Sequence, residues 1–557
     1  MENLKEPSII LMGSRVEQID AMCIDDGIES RWLMGNAGRA VADAVIAGLL
    51  KKPAGEMLAG KDFSALSSSP DTITGAIICG AGNNGGDGFV AAIELSKYGI
   101  AIDVFCIASP DKFSEDSRFY FEKLSSDGIA RISLLNVDDE NQRKYFKEKL
   151  ENCCFIVDAI FGTGLRGKEV RGQARRIIEM VNLASKTGKE NKKEIGIYSV
   201  DIPSGIDSDN AAVLGEAVHA DITVTFGCKK TGIALYPGRD FAGEVVVADI
   251  GIPVKYYQGF EKYYEADLQW VSSKIPERHY WTYKHAVGKL LVIAGSLGYT
   301  GAAALTCEAA LRTGAGIVTL ACPWELNSIM EIKLTEVMTY AVEQTDDITI
   351  HMDAFEEIQQ LSEKFDALAI GPGLSKNPST ICLVREVLKK IKKPTVLDAD
   401  GLRALYGPRD IGEEDDLDLS HVVITPHAGE LSAILGIDRI SQEDRLKENF
   451  SVVEKFGLVS VLKGAATIIS NPEKSIFINP TGSWALATAG TGDILTGIIG
   501  SLLSQGLELT DAAVCGAFIH GLASDIIANN TSRTSQIATD LLEGIKKVFL
   551  EIEELKY

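Results

Sequence analysis

A repeated series of short apolar runs, each followed by a loop rich in Gly or Asp, most constrains the fold of this chain. Such runs, alternating with helical patterns, are typical of buried strands in a parallel α/β sheet. In the first half they lie at 73–79, 101–107, 155–159, 196–200, 222–226 and 245–248, and in the second at 289–294, 317–321, 367–370, 395–397, 422–425 and 459–462. The pattern predicts two α/β domains, because 557 residues exceed one ordinary core.

The stretch from 255 to 281 separates the two series and is rich in Tyr, Lys and Glu, without clear periodicity. We therefore predict one domain at residues 1–262 and another at residues 268–552, each long enough to fold alone. Helices on both faces of a mostly parallel sheet would give each domain three layers.

Charge and cysteine content narrow the class of protein. The chain has 78 acidic and 55 basic residues and a net charge of -23, so neither nucleic acid nor an anionic membrane is expected as a partner. Its ten cysteines form no CxxC pair, which favours reduced thiols over disulfides or zinc ligands. No signal-peptide pattern is evident, and the longest apolar runs are too short to span a bilayer. A cytoplasmic location is predicted.

Two familiar phosphate-binding motifs are nearly matched in the first half. Residues 80–85 fit GxGxxG, but Asp103 lies near the start of the second strand, whereas the dinucleotide fingerprint places its acid at the end. Residues 162–168 fit GxxxxGK, but Glu169 follows in place of the Ser or Thr that holds magnesium in a P-loop. Neither a dehydrogenase nor a P-loop enzyme is favoured.

Three strand-end loops of the first half carry polar groups that a turn alone does not require: residues 83–88, 158–168 and 201–207, with a weaker fourth at 229–231. The carboxyl ends of parallel strands face the ligand crevice. Asp158 and Asp201, with oxygens of Asn84 and Ser204, could there bind a hard cation or move a proton. The same residues could instead serve as helix caps and turns.

These loops, with LMGNAGRAVA at 33–42 and DIPSGIDSD at 201–209, resemble the YjeF N-terminal domain, the NAD(P)HX epimerase family, over about residues 14–260. The resemblance implies a Rossmann-like sheet and interconversion of the R and S epimers of hydrated NADH and NADPH, with one bound potassium ion. It implies potassium ligands at Asn84, Asp158 and Ser204, and we choose Asp158 for proton transfer. The implied substrate contacts are Asn83, Asn84, Gly85, Gly86, Asp87, Gly162, Thr163, Gly164, Leu165, Arg166, Gly167, Lys168 and Asp201. Gly35 departs from the family, which usually has Glu there.

The strongest chemical signal in the second half is TAGTGD at 488–493, which runs directly into an apolar helix. Small residues permit close approach to a phosphate, and a helix N-terminus supplies oriented amides. Asp493 could take a proton from an attacking hydroxyl, as phosphoryl transfer requires, or could simply cap the helix. Further polar loops follow other strands at 371–373, 398–401, 425–430 and 463–467.

Together with residues 288–318, these motifs resemble the YjeF C-terminal domain, the NAD(P)HX dehydratase family, over about residues 270–550. The resemblance implies a ribokinase-like fold in which the hydroxyl of the S hydrate is phosphorylated and phosphate is then eliminated. Magnesium and ADP are expected, with ATP as the open alternative. Asp493 would be the base. The implied substrate contacts are Ala303, Gly373, His427 and Asp493, and the implied nucleotide contacts are Lys463, Gly464, Ala465, Ala466, Thr467 and Gly492.

The two sets of motifs on one chain predict a bifunctional enzyme that epimerises the hydrates NADHX and NADPHX and dehydrates the S form. A homo-oligomer is expected. The alternative is a ribokinase-like small-molecule kinase fused to a nucleotide-binding module, which would accumulate a stable phosphate ester.

Overall fold

The structure, a computed structural model, describes residues 6–53, 73–190, 194–406 and 417–556. It divides into two compact units, one formed by Ile9–Lys262 and the other mainly by the residues from Tyr263 onward.

The first unit contains a parallel seven-stranded sheet in the order β4-β3-β2-β5-β6-β7-β9. A short parallel pair joins β1 to β8. The strands are β1 (Ser8–Leu11), β2 (Thr74–Cys79), β3 (Ala101–Cys106), β4 (Arg131–Leu134), β5 (Phe155–Ala159), β6 (Gly196–Val200), β7 (Ile222–Phe226), β8 (Lys229–Lys230) and β9 (Glu244–Ala248). The helices are α1 (Gly13–Asp25), α2 (Ser30–Leu49), α3 (Asn83–Ser96), α4 (Glu115–Asp127), α5 (Glu140–Asn152), α6 (Gly172–Glu190), α7 (Thr231–Ala234) and α8 (Arg239–Ala242).

Both faces of this sheet are covered by apolar side chains. Ile77 packs into a cluster with residues of α2 and α3, whereas its neighbour Ile78 packs into a cluster with residues of α5 and α6. Successive side chains of a strand point to opposite faces, so β2, which is buried from Gly75 to Cys79, lies between two helical layers.

The second unit has a sheet in the order β13-β12-β11-β14-β15-β16-β17-β18-β19-β10. Its strands are β10 (Tyr263–Glu265), β11 (Lys289–Ile293), β12 (Ile317–Pro323), β13 (Met338–Val342), β14 (Ala367–Ile370), β15 (Thr395–Leu397), β16 (Val422–Ile424), β17 (Val459–Leu462), β18 (Ile468–Ser470) and β19 (Ile476–Ile478). Only β18 runs antiparallel to its two neighbours. The helices are α9 (Leu268–Lys274), α10 (Thr300–Arg312), α11 (Asn327–Lys333), α12 (Phe355–Ser362), α13 (Pro378–Lys390), α14 (Ala428–Leu435), α15 (Arg445–Phe456), α16 (Thr491–Ser504), α17 (Leu509–Ala528) and α18 (Ala538–Lys556).

Helix α17 is long and apolar enough to cross a membrane by length and composition, but 67% of its most apolar window is buried within the protein. It packs against α16 and α18, and Cys515 and Ile519 are fully buried in the core. This is the packing of a core helix in a globular unit.

The predicted α/β class with two three-layer domains is confirmed. The sequence did not indicate the hairpin β18–β19 or the strands β4 and β13. Each of β4 and β13 lies at an edge of its sheet and is partly exposed, so neither forms a continuous apolar run. An edge strand has only one neighbour and leaves a weaker pattern than a central strand.

Candidate active sites

Asp158 ends β5 and is fully buried. Its Oδ1 accepts hydrogen bonds from the Ser204 hydroxyl at 2.5 Å and the Ile160 amide at 3.3 Å. Its Oδ2 accepts from the Ser204 amide at 2.8 Å and the Ser199 hydroxyl at 2.9 Å. Burial raises the pKa of Asp158, and these hydrogen bonds oppose the shift. Both oxygens are engaged, so this geometry argues against Asp158 as the group that exchanges a proton with substrate.

Ser204 adds an oxygen donor beside Asp158, and Asn84 adds one beside Gly162, in the loop that follows β5. The Ser204 hydroxyl accepts from the Phe161 amide at 2.9 Å, and the Asn84 Oδ1 lies 3.0 Å from where a Cβ on Gly162 would be. The buried Nδ2 of Asn84 has no hydrogen-bond partner among the described residues. Carboxylate, hydroxyl and amide oxygens are donors that hard cations prefer, so this set of residues fits potassium. The unsatisfied amide indicates that no protein group fixes the Asn84 side chain.

Asp201 directly follows β6 and is held differently. Its φ of 65° is in the left-handed region, which non-glycine residues adopt rarely and often at functional sites. Its Oδ1 accepts from the Lys230 ammonium at 2.5 Å, the Thr225 hydroxyl at 3.2 Å and the Phe226 amide at 3.3 Å. Its Oδ2 receives no hydrogen bond from the described part of the chain. One oxygen is therefore fixed and the other is available.

Lys230 is a functional candidate that the sequence indicated only weakly. It is fully buried and donates to Asp201 Oδ1, to the Thr225 hydroxyl at 3.0 Å and to the Phe226 carbonyl at 2.8 Å. Burial raises the pKa of Asp20 to about 6, although Lys230 lowers it. Burial also raises the pKa of Asp87, and the charges of Asp201 and Asp20 act in the same direction. Lys230 thus bonds Asp201 directly, and its charge lowers the pKa of both Asp20 and Asp87.

The loop at 83–87 forms the start of α3 and requires small residues. A Cβ on Gly85 would lie 2.2 Å from the Gly80 carbonyl oxygen, and one on Gly86 would lie 2.6 Å from the Met34 sulfur. Asn83 Oδ1 accepts from the Ser114 hydroxyl at 2.7 Å, and no side chain caps the helix. The uncapped N-terminus leaves backbone amides for an anionic ligand.

The loop at 162–168 is anchored by acidic side chains. The Gly167 amide donates to Asp207 Oδ2 at 2.8 Å, and Arg166 forms an ion pair with Glu17. The other predicted substrate residues of this loop are consecutive with them: Gly162, Thr163, Gly164, Leu165 and Lys168. Gly35, where the family usually has Glu, lies in α2 opposite the Tyr120 hydroxyl, which is 3.2 Å from where a Cβ would be.

In the second unit, Asp493 lies in the first turn of α16. Burial, and then the charge of Asp398, raise the pKa of Asp493 to about 7, while Lys463 lowers it. Asp398 is buried after β15, and its oxygens accept from the Lys463 ammonium and the Thr496 hydroxyl, each at 2.7 Å. Burial lowers the pKa of Lys463, but Asp398 and Glu430 outweigh that effect and raise it. A carboxyl that titrates near neutral pH thus lies close to a fixed cation.

The glycines at the start of α16 bring this cation to the helix N-terminus. Gly490 has φ 92°, and a Cβ there would lie 2.8 Å from the Leu305 side chain. A Cβ on Gly492 would lie 3.4 Å from the Lys463 Nζ. No side chain caps α16, and the Thr491 amide donates to the Thr488 carbonyl at 3.4 Å, so it is the next amides of the first turn that a phosphate can use.

The predicted nucleotide loop follows β17 and lines a cavity of about 410 Å³ through Lys463, Gly464 and Ala465. Buried Arg445, which the sequence did not indicate, donates to the Ala465 carbonyl and, at 3.5 Å, to the Lys463 carbonyl. Burial lowers the pKa of Arg445 to about 10. The Thr467 hydroxyl bonds the Gly464 carbonyl at 3.2 Å, and Ala466 is buried. Arg445, which also lines this cavity, therefore fixes the shape of the loop.

His427 forms a capping box with Glu430 at the start of α14. Its Nδ1 accepts from the Gly429 and Glu430 amides at 3.0 and 3.2 Å, and the Glu430 carboxylate accepts from the His427 amide at 2.8 Å. The ring also lines a cavity of about 400 Å³ with Asp400 and Arg403. Because Nδ1 accepts from the backbone, the proton of the neutral ring is assigned to Nε2, which lies 3.5 Å from the Glu430 carboxylate.

Gly373 and the start of α10 lie together. Gly373 has φ 67°, and a Cβ there would lie 2.8 Å from Tyr299 and 3.3 Å from the Ala302 Cβ. Ala303, the predicted substrate contact, is fully buried in the core. Ala302, which is partly exposed, is therefore the alanine that this geometry places beside Gly373.

Family models match both halves of the chain: YjeF-related protein N-terminus over residues 30–232, and NAD(P)H-hydrate dehydratase over residues 290–547. A protein of Moorella thermoacetica named bifunctional NAD(P)H-hydrate repair enzyme Nnr is 38% identical over 481 residues, which are 86% of this chain and 88% of that protein. This chain belongs to the bifunctional NAD(P)H-hydrate repair family.

Other relatives of the family span the same regions. The Escherichia coli protein of the same name is 30% identical over 484 residues and covers 86% of each chain. A crystal structure of an ADP/ATP-dependent NAD(P)H-hydrate dehydratase from Bacillus subtilis, with ATP and magnesium, is 28% identical, with a TM-score of 0.44. It covers 51% of this chain and 97% of its own. The family predicted from the sequence is confirmed.

Proposed function

We propose that this chain repairs hydrated NADH and NADPH, with residues 1–262 epimerising the R and S hydrates and residues 268–552 dehydrating the S hydrate. ADP is the phosphate donor and gives AMP and phosphate. The observation that carries the proposal is the placement of Asp493, with a pKa of about 7, at an uncapped helix N-terminus near the Lys463 ammonium. Family membership over both halves supports it.

In the epimerase half, Asn84, Asp158 and Ser204 would hold potassium, which would supply positive charge to the site. We assign Asp158 to this role through its negative charge, because four hydrogen bonds hold the carboxylate in place and occupy both of its oxygens. The uncapped start of α3 binds a substrate phosphate, and the loop at 162–168 and Asp201 contact the rest of the hydrate.

In the dehydratase half, Asp493 takes the proton of the substrate hydroxyl as its oxygen attacks the terminal phosphorus of ADP. Lys463 and the amides of α16 stabilise the charge on the transferred group, and AMP leaves. The loop at 463–467 holds the nucleotide, while Gly492 leaves space for its phosphates. Phosphate then leaves the new ester, the adjacent ring carbon loses a proton, and the carbon–carbon double bond that forms restores the dihydronicotinamide ring.

Further contacts follow from the same placement. Gly373, His427 and the alanines at the start of α10 contact the hydrate. Magnesium would be held through the nucleotide phosphates and would supply positive charge to the transferred group.

We also infer a cytoplasmic homo-oligomer that binds neither nucleic acid nor membrane. The net charge of -23 and the ten free cysteines support the location and the absence of anionic partners. Light scattering after size-exclusion chromatography tests the oligomeric state.

The decisive experiment follows the recovery of absorbance at 340 nm from a mixed-epimer NADH hydrate preparation with magnesium, potassium and either ADP or ATP. Near-complete recovery, faster with ADP, is expected. Recovery that stops once the S epimer is consumed contradicts the epimerase assignment. An accumulating phosphorylated substrate without recovery contradicts the dehydratase and favours a small-molecule kinase.

A further inference from the structure

The two strand-end carboxylates of the first unit differ in how many acceptor sites remain open. Asp158 is fully buried, and each of its oxygens already accepts two hydrogen bonds. Asp201 receives all three of its donors on Oδ1, from Lys230, Thr225 and Phe226. Its side chain retains 13% of its exposure. An exchangeable proton needs an open lone pair, which Asp201 has and Asp158 lacks.

The structure supports Asp201 from behind with a fixed positive charge. The Lys230 ammonium has three donors, and each has a partner: Asp201 Oδ1, the Thr225 hydroxyl and the Phe226 carbonyl. The lysine side chain is 1% exposed, so it cannot itself reach a ligand. The left-handed backbone of Asp201 adds a conformational cost that the surrounding structure sustains. Both features fix the direction of Oδ2.

We propose that Asp201 Oδ2 is the proton-transfer group of the epimerase and that buried Lys230 is its positioning residue. This inference rests on the epimerase function proposed above. In this assignment Asp201 exchanges the hydroxyl proton of the substrate, and Asp158 belongs to the cation site.

The chemistry balances with one carboxylate and no further reactant. The hydrate carries its hydroxyl on a ring carbon bonded to the ring nitrogen. Asp201 takes the hydroxyl proton, the O–H electron pair forms a carbonyl, and the carbon–nitrogen bond breaks with its pair moving onto nitrogen. The nitrogen then carries the negative charge, which is delocalised through the neighbouring alkene into the carboxamide, while the proton stays on Asp201. Rotation of the aldehyde and re-closure on its other face, with the proton returned to oxygen, give the other epimer.

The first test is Asp201→Asn in the full chain, with R-to-S conversion of NADPH hydrate followed by chromatography. The amide oxygen can keep the bonds from Lys230 and Thr225, while an NH₂ group without a basic lone pair replaces Oδ2. Because general bases typically contribute about 10²–10⁴-fold, kcat is expected to fall at least about 100-fold, with KM changed less than about threefold. A smaller loss of kcat overturns the assignment. A wild-type chain without epimerase activity would instead contradict the proposed function.

The second test separates positioning from packing through the pH profile. In Lys230→Met the carboxylate loses its neighbouring ammonium, so the acid limb of kcat moves to higher pH. Lys229→Met removes the same charge from the adjacent residue and leaves the limb in place. A Lys230→Met enzyme that is slower without any shift of the limb overturns the positioning role. If Lys230→Met does not fold, the first test still decides the assignment, provided that Asp201→Asn melts at the same temperature as the wild type.

Discussion

At the residue scale, the chain uses one side-chain type in different environments to perform different tasks. Asp158 is fully buried with four hydrogen-bond donors, whereas Asp493 is raised to a pKa of about 7 by burial and by Asp398. A carboxylate saturated with donors stays in place, whereas one that titrates near the working pH exchanges protons readily. The surroundings of each carboxyl group therefore decide whether it helps to bind a ligand or transfers a proton.

Asp493→Asn is expected to lower kcat of the dehydratase about 10²–10⁴-fold, because the amide cannot accept the hydroxyl proton. Since the base must be ionised and its pKa in the free enzyme is about 7, wild-type kcat/KM for the S hydrate should rise with pH through 7 and level off above it. Stopped-time assays of NADH formation from the S hydrate measure both. A flat profile between pH 6 and 8 would contradict Asp493 as the base.

Asp493→Asn is also expected to stabilise the ligand-free second unit at higher pH. The folded pKa of about 7 lies above the unfolded value of about 3.9, so folding favours the protonated form. The contribution of Asp493 to the free energy of unfolding is therefore fully present below the unfolded pKa. It declines as the pH rises to about 7. The melting temperature of the variant minus that of the wild type should therefore grow between pH 4 and 7. A constant difference would contradict this.

At the element scale, helices begin where ligands are to bind. α3 and α16 both follow strands of their sheets, and neither has a side-chain cap, whereas α14 is closed by the His427–Glu430 capping box. An uncapped N-terminus keeps its amides free for phosphate, while a capping box satisfies them. α15 contributes in another way, because Arg445 at its start fixes the loop after β17.

Arg445→Met is expected to raise the KM for ADP at least about tenfold and to lower the melting temperature. It leaves the carbonyls of the loop without their buried donor, which costs about 1–3 kcal/mol for each group left unpaired. Arg439→Met is the matched control, since Arg439 lines the same cavity but is exposed. Equal effects of the two variants on KM would show that charge near the cavity matters and the fixed loop does not.

At the scale of the whole molecule, each unit has its own sheet, core and candidate site. Since the hydrate can leave one site and diffuse to the other, the two activities need only share a solution. Family membership across both halves places them on one chain.

A mixture of Asp158→Asn and Asp493→Asn chains is therefore expected to convert both epimers completely to NADH, although neither variant alone can do so. Asp158→Asn should consume only the S hydrate, and Asp493→Asn should interconvert the epimers without restoring 340 nm absorbance. The final absorbance of the mixture, compared with the wild type, measures the recovery. Incomplete conversion by the mixture would show that the two active sites must lie on one chain.

The sequence by itself determined the α/β class, the central strands and the strand-end carboxylates, because these depend on local periodicity and on short motifs. Asp158, Asp201 and Asp493 each lie close to where a strand or a helix was predicted to end or begin. Only the tertiary structure decided their roles. Lys230 reaches Asp201 from a separate strand, and Arg445 reaches its loop from α15. Burial and charge set a pKa or fix a carboxylate through residues far apart in the chain, and no local pattern records those distances.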